Sequence, residues 1–313
     1  AAVELIDDVL IELASETTEF QDVVAKLPAG TEAALLIEFY ADDDAAGREM
    51  VDGLLADRLP GRGVADGAVS GSPDGGIVEN AADADRYAFD ALEAHDDADR
   101  TELWKLRKSG QPILLSRTSD AKHISFLEDC AVPPEHLPTF VSEFQSVLAE
   151  HDTFAAFYAH AGPGVLHVRP LVDTKSGLEV DAMEAIADAV TDLVVELGGS
   201  VSGEHGDGRA RTCWNEKLYG TDVWEVFREL KTAFDPNWLL NPGQVVGVDE
   251  AAVTTGAAPP RAQTVDMATQ LRFDPEYDFD TGLTPTMEWD NENGMDGMVE
   301  LCHGCGGCRG PQE

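Results

Sequence analysis

Two segments of this 313-residue chain concentrate side chains that could hold a metal or move a proton. The first is YAHAGPGVLHVRP, residues 158–170, which contains His160 and His167. On one continuous strand their odd separation would put them on opposite faces. The intervening Gly162-Pro163-Gly164 is turn chemistry, so the spacing predicts a hairpin with its turn centred near Pro163 and Gly164. His160 would then stand directly across from His167, on one face, with Cβ atoms about 4.5–5.5 Å apart. Two imidazoles so placed can share one cation. The plainer reading is that each is a packed, hydrogen-bonded strand residue.

The second segment is GGSVSGEHGDGRART, residues 198–212. Gly203, Gly206 and Gly208 relax the steric limits on a turn and let a backbone or a flat ligand come close. Glu204 and His205 stand between them. Neighbouring side chains in such a turn point different ways, so one can ligate a metal while the other faces a substrate. Two histidines plus one carboxylate, with a position left open, form a common catalytic metal set. The plainer reading here is a charged surface loop.

Two further groups carry chemistry. Arg107 falls near the end of ELWKLRKSGQP, and Lys122 just precedes ISFLEDCAVPP. A guanidinium fork suits a carboxylate, although isolated bases usually face solvent. Near the C-terminus, Cys302, Cys305 and Cys308 form C-x2-C-x2-C, the opening of a ferredoxin-type cluster-binding run. A zinc knuckle is the alternative. The other cysteines, Cys130 and Cys213, stand alone, so the pattern is no disulfide framework and points to a reducing, cytoplasmic compartment, or to one peripheral to the inner membrane face.

Composition narrows the partners. Against 60 Asp and Glu the chain has 21 Lys and Arg, a formal net charge of −39. Nucleic acid and anionic membrane surfaces need clustered bases, so both are excluded as partners. At 43% hydrophobic residues the chain can still bury a core. The acidity reads as the solvation coat of a halophile, whose self-repulsion high salt would screen. No stretch approaches the roughly 20 apolar residues of a membrane span, and no basic segment leads into an apolar one near the start, so no signal peptide is expected.

The elements that must position these residues read as follows. Residues 2–14 have helical apolar spacing at Val3, Ile6, Val9, Leu10 and Leu13. Ala33–Tyr40 reads as a buried strand, Asp42–Leu59 as a helix, and Gly61–Gly76 as an exposed loop. Asp83–Lys108 reads as a helix stopped by Ser109-Gly110-Gln111-Pro112. His123–Ala131 reads as a strand, Pro133–Glu150 as a helix, and Phe154–Val172 as two strands around AGPG. Leu178–Leu197 and residues 215–234 add helices. Regular periodicity is lost from Gly247 onward, where the composition suggests a linker laid over a surface or disordered. The expected fold is α+β, an antiparallel sheet with helices on one face, followed by an irregular extension.

Taken together, SGEHGDGRAR, LHVRPLVD, LWKLRK, LEDCAVPPE and DPNWLLNPGQV resemble the C-terminal domain of FAD-linked oxidases. More narrowly they resemble the fused FAD and iron–sulfur oxidoreductases of the D-lactate and D-2-hydroxyglutarate dehydrogenase type. The resemblance implies a substrate domain with a ferredoxin-like cap over residues 1–246, a linker over 247–300, and the start of a 4Fe-4S domain over 301–313. It implies an FAD-binding domain upstream of Ala1.

By the same resemblance, His160, His167 and Glu204 would hold a divalent metal, expected to be Zn²⁺, and His205 would take the proton of a small 2-hydroxy acid. Arg107 and Lys122 would grip the substrate carboxylate. Gly203, Gly206, Gly208 and Asn241 would approach the flavin ring, and electrons would leave through the cluster to a further acceptor. The family's GHxGDGNLH run is altered: Ala159 precedes the histidine, and Pro163 and Val165 replace an acid and an Asn. Gln244 stands where a Lys is common. The residues alone also admit a zinc hydrolase built on the same His, His, Glu set, or a non-catalytic electron-transfer subunit.

Overall fold

The computed structural model describes residues 1–59, 88–268, 271–289 and 293–302. They divide into two compact units, Ala1–Gly110 and Gln111–Glu313.

The first unit opens with β1 (Ala2–Asp7) and α1 (Asp8–Ser15), where the apolar spacing of residues 2–14 predicts a single helix. The correction has a clear cause. AVELID pairs antiparallel with AALLIE in β2 (Ala33–Glu38), from Ala2 opposite Glu38 to Asp7 opposite Ala33. That pairing lies outside any local window. Asp7 then caps α1, its carboxylate accepting from the Leu10 N–H at 3.0 Å. Between these elements lies the one-turn α2 (Gln21–Val24).

The helix expected over 42–59 is α3 (Asp44–Arg58), capped by Asp43. The predicted loop Gly61–Gly76 lies outside the described residues. Of the helix expected over 83–108, residues 83–87 lie outside the described residues, 88–96 are irregular, and only α4 (Asp97–Lys108) is helical, started by an Asp96 cap on the Asp99 N–H. The stop at Ser109 holds, but a short α5 (Gly110–Leu114) follows it at once.

In the second unit the strand expected over 123–131 survives only at its ends, as β3 (Lys122–His123) and β4 (Cys130–Ala131). Between them the chain leaves the sheet, and Glu128 and Asp129 turn to bonds with the loop around residue 204. A 3-10 turn (Pro134–His136) leads into α6 (Leu137–Glu150). The hairpin follows as β5 (Ala155–His160) and β6 (Val165–Val172). Next come α7 (Gly177–Glu196), then α8 (Asn215–Tyr219) and α9 (Thr221–Phe234), separated at Gly220 with φ of 79°.

β6 pairs antiparallel with β3, β4 and β5. The two faces of the hairpin differ in kind. Phe157, Leu166 and Val168 are buried together with Phe140, Phe144 and Leu148 of α6 and Met183, Ile186 and Val190 of α7, and Phe144 meets Phe157 edge-on. Tyr158, His160, His167 and Arg169 alternate onto the opposite face. This is the α+β arrangement expected, with helices on one side of antiparallel strands and the chemistry on the other.

The hairpin register differs from the expectation by one residue in its centre. His160 lies opposite Val165, and His167 opposite Tyr158. The histidines are therefore diagonal neighbours on the same face, with ring centroids 5.1 Å apart. Close packing at the turn accompanies this register: Gly164 has φ of 81°, and a Cβ there would lie 2.0 Å from the Val132 carbonyl oxygen.

The segment after Gly247 is irregular but attached. Trp238, Val248 and Ala262 form a small core of their own, and α10 (Glu250–Thr254) lies within it. At the far end, α11 (Gly294–Glu300) is tied at its last residue by Lys175, whose Nζ reaches Glu300 at 2.7 Å and Asp120 at 3.1 Å.

Candidate active site

β4 brings the site together. Ala131 and Ser200 exchange two backbone hydrogen bonds of 2.8 Å, which lays the loop after α7 against the chain at 128–131. Gly203 fits this contact because a Cβ would meet Val165 and Ala131 at 3.1–3.2 Å. Asp129, fully buried, then holds the loop from below. Its carboxylate accepts from the Ser202 hydroxyl at 3.0 Å, the Glu204 N–H at 3.0 Å and the His205 N–H at 2.7 Å.

Held this way, Glu204 points its Oε1 at three imidazoles. Nε2 of His160 lies 3.4 Å away, and Nε2 of His167 and of His205 each lie 3.3 Å away. All three separations exceed the usual range of about 2.7–3.2 Å for an N–H···O hydrogen bond, so the three nitrogens and the carboxylate oxygen converge on a common point. A cation at that point would meet imidazole nitrogens and a carboxylate oxygen. Asp129, His167, Glu204 and His205 each offer a ligand atom within 4.8 Å of one another. Asp129 spends its oxygens on the loop amides, which makes it a turn holder. His160, outside that group, also turns its Nε2 to the same Glu204 oxygen.

The back of the ring is held by Glu128. Its Oε1 lies 2.7 Å from His205 Nδ1, and its Oε2 lies 3.2 Å from His167 Nδ1. Arg169 approaches Oε2 at 3.2 Å and Arg211 approaches Oε1 at 3.6 Å. Burial opposes ionisation of this carboxyl, yet the His167 hydrogen bond, the Arg169 charge and His205 prevail and bring it down to about 2. The His167 and His205 rings stack with centroids 5.2 Å apart and planes 15° from parallel. His167 and Glu128 are buried, while His160, Glu204 and His205 are partly open to solvent.

The geometry fits a divalent metal: convergent Nε2 atoms, one carboxylate, and Nδ1 atoms already engaged on the far side. For a flavin the donors are of another kind. Gly206 and Gly208 have positive φ and open space where a Cβ would stand. Asn241 also has positive φ, 42°, and is exposed. Asn215 ties these two stretches together, donating to Asp207 Oδ2 at 3.1 Å and to the Val245 carbonyl at 3.0 Å.

Not every expected residue joins this cluster. Arg107 is buried in the first unit with its guanidinium 2.8 Å from Glu4 Oε2. Lys122 donates to the Arg117 carbonyl at 2.6 Å. Cys302 is exposed, and Cys305 and Cys308 lie outside the described residues. Sequence reasoning missed Glu128, Asp129 and Arg211. The available signal was the pair of adjacent acids in FLEDCAV, an apolar stretch that has no use for charge unless it meets a partner.

Residues 1–245 match the family described as FAD linked oxidases, C-terminal domain. The chain belongs to that family. Among its relatives are two bacterial proteins named D-2-hydroxyglutarate dehydrogenase. One, from Haemophilus influenzae, is 38% identical over 143 residues, 46% of this chain and 14% of the relative. The other, from Pantoea ananatis, is 31% identical over 248 residues, 78% of this chain and 22% of the relative. The glycolate oxidase subunit GlcD of Escherichia coli is 32% identical over 157 residues, 50% of this chain and 31% of that protein. The chain thus spans less than a third of the length of each of these relatives. Among the described residues, no helix is long and apolar enough to cross a membrane.

Proposed function

We propose that this chain is the substrate-side domain of a flavin-dependent dehydrogenase that converts a D-2-hydroxy acid to the 2-oxo acid. The observation that carries the reading is the convergence of His160, His167 and His205 on Glu204, backed by Glu128. The relatives named for D-2-hydroxyglutarate and glycolate support the substrate class.

In this reading His160, His167 and Glu204 hold a divalent metal such as Zn²⁺, which when bound polarises the 2-hydroxyl as a Lewis acid. FAD, where bound, would supply the acceptor for the C2 hydride. His205 Nε2 takes the hydroxyl proton, so the C2–O bond gains its second component as the C2–H pair leaves. Asp129 keeps His205 at the site through its backbone, and Glu128 keeps its ring oriented. Gly203, Gly206, Gly208 and Asn241 would approach the flavin ring, with open space beside Gly206 and Gly208. Lys122 would meet the substrate carboxylate by leaving the Arg117 carbonyl, and Arg107 would bind a carboxylate of substrate only by releasing Glu4. Cys302, Cys305 and Cys308 are proposed ligands of a cluster that passes electrons to a further acceptor, with the FAD-binding and iron–sulfur domains as partners in the same polypeptide.

The test is anaerobic mixing of the full-length flavoprotein with D-2-hydroxyglutarate, D-lactate and glycolate. Bleaching of the flavin band by at least one is expected. No bleaching by any 2-hydroxy acid would overturn the reading.

A further inference from the structure

Glu128 is the most heavily engaged carboxylate near the site, and the chemistry proposed above gives it no step. It divides its two oxygens: Oε1 serves His205 Nδ1 with Arg211 behind it, and Oε2 serves His167 Nδ1 with Arg169 behind it, beside the Glu128 backbone carbonyl at 3.3 Å from the same nitrogen. An ionised carboxylate can only accept hydrogen bonds. Both imidazoles are therefore asked for a proton on Nδ1, which leaves each Nε2 lone pair free to face the Glu204 point. The two rings lie nearly parallel, as one carboxylate spanning both would set them.

We infer that Glu128 is a shared positioning residue, which fixes a metal ligand, His167, and the proposed base, His205, in the same Nδ1–H tautomer with a single side chain. The Glu128 backbone carbonyl adds a second acceptor for His167, while the carboxylate spans both rings. Arg169 is itself held by the Tyr158 hydroxyl at 2.9 Å, and Arg211 by the Gly206 carbonyl at 2.9 Å, so Glu128 is fastened to both the hairpin and the glycine turn.

The inference rests on the metal-and-base reading of these histidines, and the substitution Glu128→Gln separates it from mere packing. A glutamine has nearly the same shape but one acceptor and one donor group. It can satisfy only one Nδ1–H. The other ring is met by an N–H, which drives it to the Nε2–H tautomer and puts a proton where a lone pair is needed. Glu128→Asp keeps two acceptor oxygens on a side chain shorter by one methylene.

The experiment is long-range ¹⁵N–¹H imidazole NMR of the full chain without metal, about two pH units above the ordinary histidine value, paired with Co²⁺ titration followed by visible absorption. The expected result is Nδ1–H for both His167 and His205 in the wild type, and one ring switched in Glu128→Gln. Co²⁺ affinity falls about 10–100-fold in that variant, the range for losing a ligand's outer partner. Glu128→Asp retains both tautomers and most of the affinity. An Nε2–H tautomer for either ring in the wild type overturns the inference, and that spectrum needs no variant to fold. Unchanged tautomers and Co²⁺ affinity in Glu128→Gln overturn it as well. If the tautomers follow Glu128 while wild type takes up no Co²⁺, the positioning role stands and the metal reading falls.

Discussion

The backbone N–H of His205 donates to Asp129 Oδ2 at 2.7 Å, joining the proposed base to a fully buried carboxylate 76 residues earlier in the chain. The same carboxylate accepts from the Glu204 N–H and the Ser202 hydroxyl, so it closes one turn over three consecutive contacts. Asp129→Asn replaces one acceptor oxygen by a donor group that faces backbone N–H groups. Leaving such buried amides unpaired costs on the order of 1–3 kcal/mol. The expected outcome is a lower urea midpoint and faster amide exchange at Glu204 and His205, with the α6 and α7 amides unaffected. Unchanged exchange at those two amides would show that the turn holds itself.

Arg107 and Glu4 make a second testable pair. Both are buried, with 2.8 Å between guanidinium and carboxylate. Arg107→Met strands the Glu4 charge, and breaking a buried pair from one side costs about 3–5 kcal/mol. The double variant Glu4→Leu, Arg107→Met should recover most of that loss in chemical denaturation, because no lone charge remains. A single variant as stable as wild type would show that the pair contributes nothing to folding.

His123 supplies a pH dependence. Burial pushes its imidazole from 6.5 down to about 4; the Arg169 carbonyl opposes that shift and the Arg117 charge adds to it. Its ring sits between an Arg169 carbonyl oxygen at 2.7 Å from Nδ1 and the Arg117 Nε–H at 3.0 Å from Nε2. The folded state keeps the ring neutral where the unfolded chain would take up a proton. The stability contributed by the neutral ring is present above pH 6.5, declines as pH falls toward about 4, and is gone below it. The gap corresponds to about 3 kcal/mol. His123→Gln can keep both hydrogen bonds without titrating, so its unfolding free energy should fall less steeply across that window. Parallel slopes for the two proteins would contradict the shift.

What the sequence reveals follows from how far each signal reaches. The hairpin at 155–172 and helix α7 come from local alternation and local amphipathic spacing, and both are present close to their expected bounds. The Glu204-His205 turn is legible because glycines at 203, 206 and 208 have few other uses. β1 is not, because Val3, Ile6 and Leu10 fit a helix equally well until residues 33–38 pair with the segment. The exact register of His160 depends on how Gly164 packs under Val132, which no dipeptide rule supplies. Glu128 and Asp129 are invisible for the same reason on a larger scale: their partners lie 39 to 77 residues away.

The convergence of three Nε2 atoms on Glu204 is the center of the proposed chemistry. Crystals of the metal-replete protein, measured on both sides of the zinc absorption edge, test it most directly. One anomalous peak within ligand distance of His160 Nε2, His167 Nε2 and a Glu204 oxygen, with His205 Nε2 turned toward the open side, is the expected result. A replete sample with no peak there, or with the ion held by other residues, would contradict it.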